Sequence, residues 1–440
     1  MRVHFLLFAI GVGIVAVSIG GFVSVARGQN AAGSEKPSLG DALKAGRSAV
    51  SVKDGKLSGA GGDVLRTAVD DAQFVLMGED HGIAQIPEFA GALCAELAPR
   101  GFHDVALEVG PSVAPKLEEF AKSGDGGGKR LAEFVHRFPF SIAFYDWREE
   151  FAFLQQCEKS AGPQGMHISG LDQELMGASG YVVDTIQQRA ASPAVRDAAQ
   201  RLLDENKKMY DETAKSGNPM ELFLMKAGQD DFDGFLKVLK AQSGGDSAAN
   251  ETLFEGLIAS RDIYAKYQAE QGYASNRERA RLMKTNFVED YARAEKIEGG
   301  APKFFFKFGA FHMYRGLNPL HSSEIGNYVA ELAEGRGQKS VHILIVGVKG
   351  KQLHFAGIGR PAAEAPLDLA GDPDSDFRFF APLFENMVGG SWTLYDLRGL
   401  REHFSKLGPV DPGLERVVFG YEFVVLIPEP VASHEVVAQP

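Results

Sequence analysis

The chain has 440 residues, with 46 Lys and Arg against 58 Asp and Glu, a formal net charge of −12 and no block of basic residues. That balance argues against nucleic acid as a partner and against a polybasic membrane anchor. At 45% hydrophobic and 24% charged residues the composition is globular, with ample material for a core.

The N-terminus reads as a targeting segment. Met1-Arg2-Val3-His4 carries one fixed positive charge, Phe5–Val25 carries none, and Ala26-Arg27-Gly28 offers small residues for cleavage before Gln29. Residues 1–28 are therefore expected to be a signal peptide, and the body a periplasmic or secreted protein. If uncleaved, Phe5–Val25 is long enough to span a bilayer and would anchor the protein in the membrane. Residues 29–60, rich in Gly, Ser, Ala and Lys, read as a flexible leader. The two cysteines, Cys94 and Cys157, are too few for a disulfide scaffold, though one bridge fits an oxidising compartment. The chain has no Cys-x-x-Cys, which argues against structural zinc.

Ordered structure is expected from about Gly61. Phe74-Val75-Leu76-Met77 is an apolar run fit for a buried strand, and it leads into Gly78-Glu79-Asp80-His81-Gly82. Pro87–Ala98 has apolar residues at helical spacing. Val105–Val109 is a second strand, so that strand, helix and strand form a unit of the size of a βαβ crossover. Ser123–Lys129 is rich in glycine. No apolar strand precedes it and no Ser or Thr follows its lysine, so it reads as a connection and not as a phosphate cradle. A third short strand, from His167, ends at Asp172. Residues 181–298 then change character to charged, helix-periodic segments, read as a helical insertion or cap of about four helices. Strands resume at Phe304–Phe308, Val341–Val348, Trp392–Leu397 and Glu422–Ile427. The expected architecture is α/β, a mixed and largely parallel sheet flanked by helices, built from residues 61–180 and 299–430, with 431–440 as a tail.

The chemistry gathers at strand ends. Phe304–Phe308 runs into Gly309-Ala310-Phe311-His312, which repeats the Gly-x-x-His of Gly78–His81, and Glu108 closes the strand between them. In a parallel sheet such ends open into the crevice where ligands bind. Glu79, His81, Glu108 and His312 are therefore the candidate catalytic set, with Asp80 and Asp172 beside them. Two histidines and a carboxylate suit a divalent metal, for which His81, Glu108 and His312 are the candidate ligands. The same set suits a metal-free mechanism in which a carboxylate-oriented histidine takes a proton from water. Arg279 lies on a predicted helix beside Leu282 and Met283, away from Arg277 and Arg281, and is placed to reach a buried anion or the site carboxylates. His103, His136 and His342 read as structural.

Gly78-Glu79-Asp80-His81, Ala106-Leu107-Glu108 and Gly309-Ala310-Phe311-His312-Met313-Tyr314-Arg315-Gly316 together resemble a superfamily. It joins the haem-binding ChaN-like proteins, the Tiki/TraB proteins and the erythromycin-esterase family. Gly170-Leu171-Asp172, the Arg279–Met283 spacing and Phe419-Gly420-Tyr421-Glu422 are more similar to the esterase branch. That pattern has one more residue between its first Gly and His, a glutamate where this chain has Gln85, and a second histidine in its later motif. The resemblance implies a site at the sheet ends holding Glu79, His81, Glu108 and His312. It leaves open water attack on an ester of a small-molecule substrate, metal-dependent hydrolysis of a peptide substrate, and haem binding without catalysis, with a non-catalytic envelope domain as a further reading.

Overall fold

The computed structural model of the protein describes residues 38–242, 246–371 and 377–436. The expected signal peptide, Phe5–Val25 included, lies outside them, as do residues 437–440 of the expected tail. Among the described residues no helix is long and apolar enough to cross a membrane.

Among the described residues eleven strands are formed: β1 Arg47–Lys53, β2 Lys56–Ser58, β3 Ala72–Glu79, β4 Phe102–Leu107, β5 His167–Gly170, β6 Lys303–Gly309, β7 Lys339–Gly347, β8 Lys349–His354, β9 Ala363–Asp368, β10 Trp392–Asp396 and β11 Phe423–Ile427. Nine of them make one sheet in the order β2-β1-β10-β11-β7-β3-β6-β4-β5, and β8 and β9 form a separate hairpin. From β11 to β5 every neighbouring pair is parallel, while β2, β1 and β10 extend the sheet antiparallel. The fold is thus α/β with a mixed, largely parallel sheet, as the strand and helix patterns predict. Helices cover both faces of its centre, which is why β3 is buried along its whole length and reads as a continuous apolar run.

Three segments differ from expectation. Residues 39–58, within the predicted leader, fold into the helix Leu39–Gly46 and strands β1 and β2, and β1 pairs with β10. The helix is capped by Ser38, which accepts from the Asp41 N–H, and Val50 and Leu57 are buried. Composition over thirty residues conceals a short alternating strand inside a Gly- and Ser-rich stretch. The expected tail also folds back: Ala432 bridges to Ile83 and Glu435 to Trp147, and Ser433 donates its N–H to the Gly82 carbonyl. The glycine-rich Ser123–Lys129 is not a loose connection either. It holds a short turn, Gly124–Gly126, and the start of the helix Gly127–Arg137.

Between β5 and β6 the chain is helical, with Ser179–Arg189, Pro193–Ser216, Gln229–Lys240, Ser247–Gln268 and Gly272–Glu298 as its main helices. The first four close around their own apolar cluster, which includes Phe223, Phe232 and Phe254. Gly272–Glu298 instead lays Met283, Phe287 and Tyr291 into the main core, with Phe287 edge-on to Phe74 and Phe304. That docking aims its first half at the sheet ends. A disulfide joins Cys94 and Cys157, tying the helix Gln85–Leu97 to Arg148–Ala161 on one face of the sheet.

Candidate active site

The strands β3, β6, β4 and β5 are consecutive in the sheet, parallel and in register at their C-terminal ends. Glu79 pairs with Gly309, and Leu107 with both Lys307 and Gly170. Residues at or just beyond those ends therefore converge. The structure brings Glu79, His81, Glu108, Asp172, His312 and Arg279 into one buried cluster.

Glu79 is the last residue of β3 and only 4% exposed. It accepts a hydrogen bond of 2.9 Å from Nδ1 of His81, which leaves Nε2 free to act as an acceptor. The Lys307 ammonium lies 2.7 Å from the same carboxylate oxygen. Lys307 is fully buried in β6 and also reaches both oxygens of Glu150, at 2.9 and 2.8 Å. Burial raises the Glu79 carboxyl, and the charges of Lys307 and His81 outweigh it, so the group sits below its ordinary range and stays ionised. Glu150 goes the other way: burial, with the charge of Glu79, pushes it up to about 7 in spite of Lys307.

His81 keeps 21% of its side chain exposed, and its Nε2 lies 3.6 Å from Glu108. Its ring is stacked on Phe144 with centroids 3.8 Å apart. Burial disfavours the imidazolium, but the hydrogen bond and charge of Glu79, with the charge of Glu108, prevail and raise its pKa.

Glu108 follows β4 directly. One oxygen accepts from Arg279 at 2.8 Å and the other from the Gly309 N–H at 2.6 Å. Nε2 of His312 lies 3.4 Å from the first oxygen. Burial would raise Glu108, but the charges of His312, Arg279 and His81 hold it well below the usual carboxylate range. A Cβ on Gly309 would stand 2.9 Å from Nε2 of His81 and 3.2 Å from Glu108, so any larger residue here would displace those two side chains. Arg279 also clamps Asp172, with Nε 2.8 Å from one oxygen and Nη2 on the other.

His312 is wedged between two carboxylates. Its Nδ1 is 3.2 Å from Glu324 while its Nε2 faces Glu108. Burial and Arg279 lower its pKa, but Glu108 and Glu324 raise it more, to about 9. His312 is thus an imidazolium at neutral pH.

A cavity of about 30 Å³ is lined by His81, Glu108, Asp172, Tyr264, Arg279 and Phe144, among others. That is room for about one water molecule. Neither His312 nor Asp80 lines it. The two histidines that look equivalent in sequence therefore take different places, with His81 at the cavity and His312 behind Glu108. Asp80 gives its N–H to the Ile345 carbonyl at 3.3 Å, and burial raises its carboxyl to about 6. His342 is buried between the Met313 carbonyl and Ser340, and burial lowers it to about 4, so it is a neutral structural residue.

Lys307, Glu150, Glu324, Tyr264 and Phe144 also belong to the site, and no sequence motif singles them out. Lys307 leaves a usable signal, because a lysine inside Phe304–Phe308 has to be paired with acids if that strand is buried. Glu150 and Glu324 come from a helix and a turn far from any motif, and only the tertiary structure brings them in.

The donor set does not fit a metal ion. Both oxygens of Glu108 are engaged by Arg279 and a backbone N–H, and Lys307 neutralises Glu79, so a dication would meet two fixed cations. Among the described residues no group of three or more His, Cys, Asp and Glu is arranged to hold a metal. His312 is not placed to ligate a haem, because its two ring nitrogens face Glu324 and Glu108.

No family model and no curated protein matches the chain. Solved structures do share its fold. A mutant of the erythromycin esterase EreC in its open conformation superposes with a TM-score of 0.57 at 14% identity, over 85% of this chain and 95% of that one. A Bacillus cereus protein gives a TM-score of 0.56 at 15% identity, over 90% of this chain and 98% of that one. A succinoglycan biosynthesis protein gives 0.55 at 17%, over 90% and 97%. The architecture is therefore the erythromycin-esterase-like α/β fold, as the sequence motifs lead one to expect.

Proposed function

We propose that the protein is an exported hydrolase that directs water at an ester carbonyl without a metal, with His81 as general base. The observation that carries this reading is the hydrogen bond from Nδ1 of His81 to the lysine-neutralised Glu79, which turns an acceptor Nε2 toward a water-sized cavity. A carboxylate behind a histidine fixes its tautomer and stabilises the imidazolium that forms. The water oxygen bonds to the carbonyl carbon as its proton passes to Nε2. The Arg279 guanidinium, which lines the same cavity, stabilises the oxyanion. Collapse then breaks the carbon–oxygen bond, and His81 returns the proton to the departing alkoxide. Glu108 positions the water and Arg279, and His312 positions Glu108. The fold shared with an erythromycin esterase is consistent with this chemistry.

Glu108→Gln tests the reading. The rate is expected to fall, by less than the factor of about 10²–10⁴ that a general base is worth, with the metal content of the purified protein unchanged. A joint loss of metal and activity, both restored by added metal, would overturn the metal-free mechanism. Export rests on the charge-free N-terminal segment and on the Cys94–Cys157 bridge, since such bridges persist in oxidising compartments. N-terminal sequencing of protein from the cell envelope is expected to begin near Gln29. A start at Met1 in the membrane fraction would make Phe5–Val25 an anchor.

A further inference from the structure

The catalytic cavity is too small for any substrate carbonyl and its substituents, so the arms of the substrate have to lie elsewhere. A second cavity of about 410 Å³ adjoins it. The two share Ala143, Phe144 and Leu175 in their walls. Its volume falls in the range of small-molecule sites, and like them it is mostly apolar. Phe140, Ile142, Trp147, Phe355 and Ile358 line it, with Phe140 and Phe355 rings 4.5 Å apart.

The partition between the two cavities is strained. Phe144 has φ +58°, in a turn that the Tyr145 N–H closes onto the Ala143 carbonyl at 2.6 Å, and Phe140 in the same loop has φ +62°. A three-residue turn of this kind with a positive φ at its centre is rare. An aromatic residue at positive φ is an outlier that persists where the surroundings impose it, commonly at functional sites. The ring so held covers His81. The same ring lines both cavities.

We infer that this groove binds the apolar arm of an uncharged ester, and that Phe144 is the residue displaced when the carbonyl reaches His81. Asp146, Glu435 and Arg360 also line the groove. Burial pushes Asp146 up to about 7, so above that pH two carboxylates to one guanidinium disfavour an arm that ends in an anion. The inference rests on the hydrolase reading for the carbonyl, and on the groove alone for the arm.

The test separates these two. Straight-chain methyl ketones carry the carbonyl and the arm but no leaving group, so their binding does not depend on hydrolysis. The chain has two tryptophans, Trp147 in the groove and Trp392 in β10. In a Trp392→Phe background, Trp147 fluorescence therefore reports the groove. The expected result is a Kd that falls about fourfold per added methylene, from the transfer free energy of a buried CH₂. Ile142→Asn and Phe355→Ala should each flatten that slope, a terminal carboxylate should weaken binding at least about tenfold, and Phe144→Ala should speed association. Affinity that ignores chain length would overturn the groove assignment, even if nitrophenyl esters are hydrolysed. Chain-length-dependent binding with no turnover of any ester would sustain the groove and remove the hydrolase reading. Association unchanged by Phe144→Ala would make that ring a fixed wall and not a displaced one.

Discussion

The His81 and His312 halves of the site share a plan and differ in what surrounds it. Each histidine follows a β-strand by the same Gly-x-x spacing, and each turns Nδ1 toward a glutamate, Glu79 or Glu324. On the His81 side the glutamate is matched by a buried lysine, and Nε2, 3.6 Å from Glu108, belongs to a ring that lines the cavity. On the His312 side Nε2 meets a second carboxylate, Glu108, and the ring does not line the cavity. The first arrangement leaves a nitrogen lone pair for a proton. The second fixes a proton in place and uses the resulting cation to hold Glu108. Identical spacing in sequence has thus led to two environments, and it is access to the cavity that separates them.

The sharpest way to break that comparison is to remove each ring. His81→Ala is expected to cost about 10²–10⁴ in kcat, the range for a general base. His312→Ala should cost less, because it acts through Glu108. The double variant should be little worse than His81→Ala, since residues that act as a unit are not additive. Equal losses that multiply in the double variant would show that both histidines do chemistry directly. Circular dichroism on each variant checks that the fold is retained.

Next in size is an effect on stability. Lys307 is fully buried with Glu79 and Glu150 against it, and Lys307→Met strands two carboxylates in the core. Breaking a buried pair in this way costs about 3–5 kcal/mol, which urea denaturation would read as a lower midpoint. Adding Glu150→Gln should restore part of the loss by removing one uncompensated charge. A Lys307→Met protein as stable as the parent would mean that Glu79 and Glu150 are neutral in the fold, and the case for an ionised Glu79 behind His81 would fail.

This contrast also marks what can be read from the chain. The apolar runs that build β3, β4 and β6 are explicit in sequence, because strands buried on both faces leave little room for polar residues. The polar residues that terminate them stand out for the same reason, and so Glu79, His81, Glu108 and His312 are visible in the sequence alone. Their order of use is not. Which of the two rings lines the cavity depends on Phe144, Glu150 and Glu324, which arrive from a loop, a helix and a helix N-cap with no periodic signal. Arg279 is intermediate: a guanidinium beside Leu282 and Met283 advertises a buried partner, but Asp172 and Glu108 are named only once the helix is docked. The fold of residues 39–58 escapes notice because β1 is a strand of Ala, Ser and Val near the sheet edge, whose alternation is too short to stand out from a Ser- and Gly-rich stretch.

The smallest expected effect is the one that bears most directly on the His312 half, and it comes from pH. His81 has to be neutral to accept a proton, and its pKa is raised, so activity should be lost as pH falls through a value above that of an ordinary histidine. His312 has to be charged to hold Glu108, so activity should decline as pH rises through about 9. That decline should be partial, because Arg279 and the Gly309 N–H still hold Glu108 when His312 is neutral. Glu324→Gln removes one of the carboxylates that raise His312, and its pKa should drop. A hydrogen bond to a charged group is worth about 1.5 kcal/mol at the low end, which corresponds to about one pH unit. The basic limb of the kcat/KM profile should therefore move by about that much toward neutrality. The acidic limb should stay in place, because Glu324 bonds only the other histidine. If the acidic limb moves and the basic limb does not, the roles of the two histidines are reversed, and His312 is the base.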